Sequence, residues 1–170
     1  MKKIILISLV ITFIIVNNCG YRLSGYANTI PKYIKTIYIP HFKNKTNRIQ
    51  AEEFVTNAIK KEFLRRTKLK LVNSVYNADA ILEGEIVSFD VKPMSFDQNA
   101  SSNEYRFSIS LNIKLIDLKY KKPIYEGEKI SYSDTYLTDT GDFFSRETEK
   151  LMELAEDMAS SIVTTILENF

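Results

Sequence analysis

The sequence predicts an α+β fold. It is a two-layer sandwich in which two long helices cover one face of a four-to-five-stranded, mostly antiparallel sheet. Three long consecutive stretches, residues 80–91, 105–118 and 124–136, have strand character and are separated by turn or loop signals, the pattern of a meander. Residues 48–66 and 147–169 carry helical periodicity with one apolar side each. Two such helices must bury those sides, and a shared sheet face accommodates both.

The first strand lies at residues 34–40 (IKTIYIP), where branched apolar and polar residues alternate. Residues 42–47 (FKNKTN) form a polar loop, and Thr46 or Asn47 can cap the helix that follows. In that helix Ile49, Phe54, Ala58 and Leu64 fall close to one face, widened by Val55, Ile59 and Phe63. Lys60, Lys61, Arg65 and Arg66 suit the negative end of the helix dipole. Residues 68–72 (KLKLV) make a short strand. The turn Asn77-Ala78-Asp79 opens a long strand, 80–91 (AILEGEIVSFDV), limited by Pro93.

Residues 93–103 are polar and long for a hairpin loop. In the next strand Phe107, Ile109, Leu111, Ile113 and Leu115 share one face, and Arg106, Ser108, Ser110, Asn112 and Lys114 share the other. This is an antiparallel strand with one wet face. A turn over residues 119–123 leads to the partner strand 124–136 and a loop over 138–145. The second helix places Leu151, Leu154, Ala155, Met158, Ile162, Ile166 and Leu167 on its apolar side. Glu147, Glu149 and Glu153 near its start suit the positive end of the dipole.

A different pattern precedes the domain. Lys2 and Lys3 are followed by an almost continuously apolar run from Ile4 to Val16, as in a secretory signal. The run is too short to span a bilayer comfortably. Cys19, the only cysteine, closes this segment and reads as a lipid-attachment site. The other reading is an uncleaved anchor with an incidental cysteine. The preceding residues, Val16-Asn17-Asn18, lack the small side chains usual at such a processing site. The expected organisation is a lipoprotein signal peptide over 1–18, a lipidated tether over 19–33 and one α+β domain over 34–170. Stable anchoring needs more than one acyl chain, which bacterial lipoproteins supply.

Composition narrows function. Removing Lys2 and Lys3 from the 23 basic residues leaves a balance with the 21 acidic ones, so a general nucleic-acid binder is disfavoured. With Cys19 acylated, no cysteine is left for a disulfide or a zinc-type cluster, and no metal or cofactor is expected. His41, the single histidine, follows Pro40 at a strand end and reads as a surface loop residue. Glu83 with Glu85, and Glu126 with Glu128, each share a strand face. Cross-strand pairing with lysines accounts for them more simply than acid–base catalysis. The expectation is a protein that is not an enzyme. A lipid-anchored hydrolase is the reading that a loss of activity at His41 or a carboxylate would revive.

The chain resembles the LptE family of lipopolysaccharide-assembly lipoproteins. The likeness begins with Cys19-Gly20-Tyr21-Arg22-Leu23-Ser24-Gly25 and continues through the 34–40 strand, Asn44 and Thr46. It takes in Ala78-Asp79-Ala80-Ile81-Leu82-Glu83-Gly84, the Glu104-Tyr105 strand opening and the C-terminal amphipathic helix. The resemblance implies an outer-membrane lipoprotein, lipid-anchored on the periplasmic side. It implies a place in the lumen of a large β-barrel, the other subunit of the lipopolysaccharide translocon, which it plugs and helps assemble. It also implies contact with lipopolysaccharide. Exposed cations could meet the phosphates of that lipid. The candidates are Lys92, Arg106, Lys114, Lys119, Lys121 and Lys122. A generic envelope lipoprotein, a periplasmic binding or scaffold module of the same layout, is the alternative.

Overall fold

The computed structural model describes residues 30–94, 104–137 and 143–168. The expected signal segment, Cys19 and most of the expected tether lie outside them, as does most of the expected 93–103 loop. Six strands and two α-helices follow in the order β1 (Thr36–Tyr38), β2 (Lys43–Asn44), α1 (Ala51–Arg66), β3 (Lys70–Val72), β4 (Ala80–Pro93), β5 (Glu104–Asp117), β6 (Lys122–Leu137) and α2 (Phe143–Glu168). A single 3-10 turn, Val75–Asn77, joins β3 to β4.

The sheet order is β3-β1-β4-β5-β6, with β2 also on β4. The expected meander is β4-β5-β6, antiparallel throughout. Apolar residues alternate along β5, so Phe107, Ile109, Leu111, Ile113 and Leu115 are buried. Both helices lie over that face, with Val55, Ile59 and Phe63 of α1 and Leu151, Met158, Ile162 and Ile166 of α2 in the same core. The two-layer sandwich therefore stands.

The other half of the sheet is parallel. β1 runs parallel to both β3 and β4, and β2 runs parallel to β4. The expected 34–40 strand is cut to Thr36–Tyr38, and the chain resumes pairing at Lys43. Between them Pro40 has no N–H to give the ladder, and one extra residue is accommodated on the β1–β2 side. The excursion turns Phe42 inward. Its ring lies where a side chain on Gly84 would stand, so β4 needs glycine there.

Three helix expectations are corrected. The first helix begins at Ala51 rather than residue 48, and neither Thr46 nor Asn47 caps it. Gln50 occupies the cap position in the left-handed region (φ 68°) without a side-chain cap bond. Asn44 organises the approach instead, accepting from Thr46 N–H (2.9 Å) and donating to the Arg48 carbonyl (2.8 Å) and Glu52 (2.7 Å). The buried stripe is Val55, Ile59 and Phe63; Ile49 falls outside the helix and Leu64 lies on the side opposite Val55, and both are exposed. The second helix starts four residues earlier than expected, at Phe143. Glu147 thus lies inside it, buried and paired with Arg48 at 3.1 Å, so a partner from the α1 approach accounts for it better than the dipole.

The basic end of α1 is also more than dipole matching. Arg65 grips Glu62 with two bonds of 2.6 and 2.7 Å, and Arg66 reaches the same carboxylate. Arg66 also donates to Thr164 Oγ1 (2.6 Å) and Ser160 Oγ (2.9 Å) on α2. Glu62 is held below the usual carboxylate range, chiefly by the Arg65 hydrogen bond.

Candidate functional site

The face of the meander turned away from the helices is polar, and its rungs can be read across β4, β5 and β6. Lys92 stands opposite Arg106, and Arg106 opposite Thr135. Next come Asp90, Ser108 and Ser133, then Ser88, Ser110 and Ser131. Ser110 and Ser131 hydroxyls bond to each other at 2.7 Å. Further along, Glu83 faces Lys114, and Lys114 pairs with Glu126 at 2.8 Å. Glu85 pairs with Lys45 at 2.9 Å. The expected cross-strand role of these glutamates is what their geometry gives.

A bulge divides β6. Lys129 adopts φ 49° and its N–H donates to the Asn112 side chain (2.8 Å), shifting the register between Leu111 and Ile113. Near it an open groove of about 360 Å³ crosses the sheet, lined by His41, Lys43, Glu83, Glu85, Asn112 and Glu128 among others. His41 is exposed at its edge. Among the described residues no cluster of His, Cys, Asp and Glu could hold a metal ion.

The candidate cations separate into three environments. Lys92 and Arg106 are neighbours at one end of the polar face, both exposed. Lys114 is engaged by Glu126 in mid-face. Lys119, Lys121 and Lys122 cluster at the other end, around the β5–β6 turn. From the Arg106 rung to the Asp117 rung is on the order of 35 Å, at about 3.3 Å per residue. One phosphate-binding site cannot contain both ends.

At the turn end a cluster appears that local sequence patterns do not disclose. Tyr33 Oη donates to the Asp117 carboxylate across 84 residues of chain. Asp117 also accepts from the Lys119 and Tyr120 N–H groups at 2.8 and 3.1 Å. Burial alone would raise the Asp117 carboxyl, but these hydrogen bonds bring it below its ordinary value. The Tyr33 hydroxyl, bonded to that carboxylate, is pushed up to about 12. The Lys119 ammonium sits 5.2 Å from the Tyr33 ring centre and 5.3 Å from that of Tyr120.

This layout recurs in known proteins. The family model described as LptE, lipopolysaccharide-assembly, matches residues 34–166. The chain belongs to the LptE family. As a member it is a non-enzymatic outer-membrane lipoprotein of the periplasmic side, an accessory of lipopolysaccharide translocation that works with an outer-membrane barrel and with lipopolysaccharide. No curated protein matches its sequence.

Solved structures share the fold at low identity. An uncharacterized lipoprotein B from Nitrosomonas europaea superposes with a TM-score of 0.56 at 16% identity, covering 87% of this chain and 90% of that one. PelC from Paraburkholderia phytofirmans, a dodecamer, gives 0.56 at 12% identity, with 82% and 93% covered. A minor lipoprotein from Acinetobacter baumannii gives 0.53 at 11% identity, with 81% and 95% covered. These likenesses establish the architecture alone.

Proposed function

We propose that the chain sits in the lumen of the large β-barrel subunit of the lipopolysaccharide translocon, plugs it and helps it assemble. On this reading residues 1–18 are removed, Cys19 carries the acyl chains and the following residues tether the domain. The observation that carries it is the hydroxyl-rich centre of the polar face, Ser88, Ser108, Ser110, Ser131 and Ser133, with Asp90 the charged residue in its two rungs. The lumen of such a barrel is polar and wet. A plug wall of short hydroxyls can exchange hydrogen bonds with it without burying unpaired charge. At one end of this wall Lys92 and Arg106 offer an adjacent pair of cations to a lipopolysaccharide phosphate.

The test is purification from the protein's own membranes in mild detergent, followed by mass spectrometry of whatever accompanies it. A large β-barrel protein at roughly one-to-one ratio is the expected result. Repeated recovery of the acylated chain alone would overturn the plug and favour a free-standing envelope scaffold.

A further inference from the structure

The end of the sheet where the chain enters the domain is cationic. β1, β3 and β4 start there, β5 ends there and β6 begins there. Lys32, Lys35, Lys70, Lys119, Lys121 and Lys122 are all exposed at this end. None of them has an ion-pair partner among the described residues. The two aspartates nearby are otherwise engaged. Asp79 accepts from Lys35 N–H, Thr36 N–H and Thr36 Oγ1 at 2.8–2.9 Å, and Asp117 is held by the Tyr33 and turn contacts already described. Lys35 and Lys119 act at longer range on Asp79 and Asp117, and the charge of Lys32, Lys70, Lys121 and Lys122 is left for something outside the domain.

Two tyrosines frame these charges. Tyr33 is 42% exposed and Tyr120 57% exposed, their rings packed edge to face at 5.7 Å with the Lys119 ammonium over both. Amphipathic rings of this kind favour the headgroup layer of a bilayer, and lysines beside them favour anionic lipid. Geometry supplies the occupant. An acylated Cys19 lies so few residues before Ile30 that even a fully extended tether spans about 40 Å. The tether joins the domain at this end, so a membrane holding Cys19 meets this end first. The Lys92–Arg106 end is on the order of 35 Å farther along the strands.

We propose that the Tyr33–Lys119–Tyr120 cluster and its neighbouring lysines form a seat on the phospholipid headgroups of the membrane that holds the acyl chains. The seat fixes the domain's orientation at the periplasmic rim of the barrel, so that the long strands point into the lumen rather than swing on the tether. This inference rests on the anchoring at Cys19 proposed above.

The mature protein, purified from membranes, would be reconstituted into vesicles of phosphatidylcholine alone or with phosphatidylglycerol added. Intact mass reads acylation of Cys19. Amine-reactive labelling, read peptide by peptide, reports the seat. Labelling of Lys119, Lys121 and Lys122 should fall severalfold when phosphatidylglycerol is present and recover in high salt, while Lys60 and Lys61 on α1 stay unchanged. A K119Q/K121Q/K122Q variant, altered only at exposed positions, should lose the phosphatidylglycerol-dependent protection of Lys32 and Lys35. Equal labelling in both vesicles, with Cys19 acylated, would overturn the seat and leave the anchor standing. Protection seen only in vesicles carrying lipopolysaccharide would also overturn it, assigning the lysines to that lipid. Protection with an unacylated Cys19 would uphold the seat and remove the anchor.

Discussion

The ring of Phe42 fills the space that a side chain on Gly84 would need, on the helix-covered face of β4. Phe42 is 3% exposed and Gly84 half-buried. Gly84→Ala must push an aromatic ring out of a packed layer, an overpacking cost of about 1–3 kcal/mol. The expected outcome is a thermal midpoint lowered by several degrees. Adding Phe42→Leu to Gly84→Ala should recover part of the loss, and a double-mutant cycle from thermal melts measures that coupling.

Asp79 pins the start of β1 through two backbone N–H groups and the Thr36 hydroxyl. The Lys35 N–H bond leads the causes that lower its carboxyl. A carboxylate whose folded value is depressed stabilises the fold at pH above its unfolded value, about 3.9, and loses that contribution as pH falls through the folded value. The wild-type chain should therefore lose stability below about pH 4. Asp79→Asn, less stable at neutral pH, should show a shallower decline between pH 5 and pH 3 in thermal melts, these being working pH values for this titration.

Arg66 cross-links the helices, holding Glu62 on its own helix and Ser160 and Thr164 on α2. Arg66→Ala leaves a mostly buried carboxylate with Arg65 alone and takes a charged donor from the Ser160 and Thr164 hydroxyls, the latter keeping its bond to the Ser160 carbonyl. A loss of about 1–3 kcal/mol is expected. Urea titration should show a lower midpoint with an unchanged slope, because the unfolded surface is the same. Arg65→Ala, at a more exposed side chain, should cost less.

How much of this was legible beforehand follows from the range of each interaction. The alternation in β5 and the apolar stripe of α2 are local patterns, and they placed the meander and the second helix's buried side correctly. The parallel edge was hidden, since β1 reaches β3 and β4 only after α1 has returned the chain. Ile49 joins the α1 stripe only if the helix starts at residue 48, and Leu64 joins it only if the apolar stripe is drawn wider than the face the sheet covers. The αL residue Gln50 moves that start, and nothing in its side chain signals it. Glu147 looked like a helix-start acid because Arg48, its partner, is distant in sequence. The candidate lysines were legible as exposed residues, but their division between two ends of the sheet needed the strand register.

That division makes the last prediction sharp. If the plug reading holds, Lys92 and Arg106 are the cations that meet lipopolysaccharide, since they adjoin on one rung of the polar face. Lys114 is the control, because Glu126 already occupies it. With photo-crosslinking side chains placed at Ser108, the K92A/R106A pair should reduce lipopolysaccharide adducts by roughly the tenfold that loss of a charge-assisted phosphate contact implies. Lys114→Ala should leave them within about twofold, as expected for an exposed ion pair of little net value. Both variants alter exposed or half-exposed side chains, so melting temperature serves as the check on folding. Adducts unchanged in K92A/R106A would remove the pair from lipopolysaccharide recognition while leaving the hydroxyl face as the contact with the barrel wall.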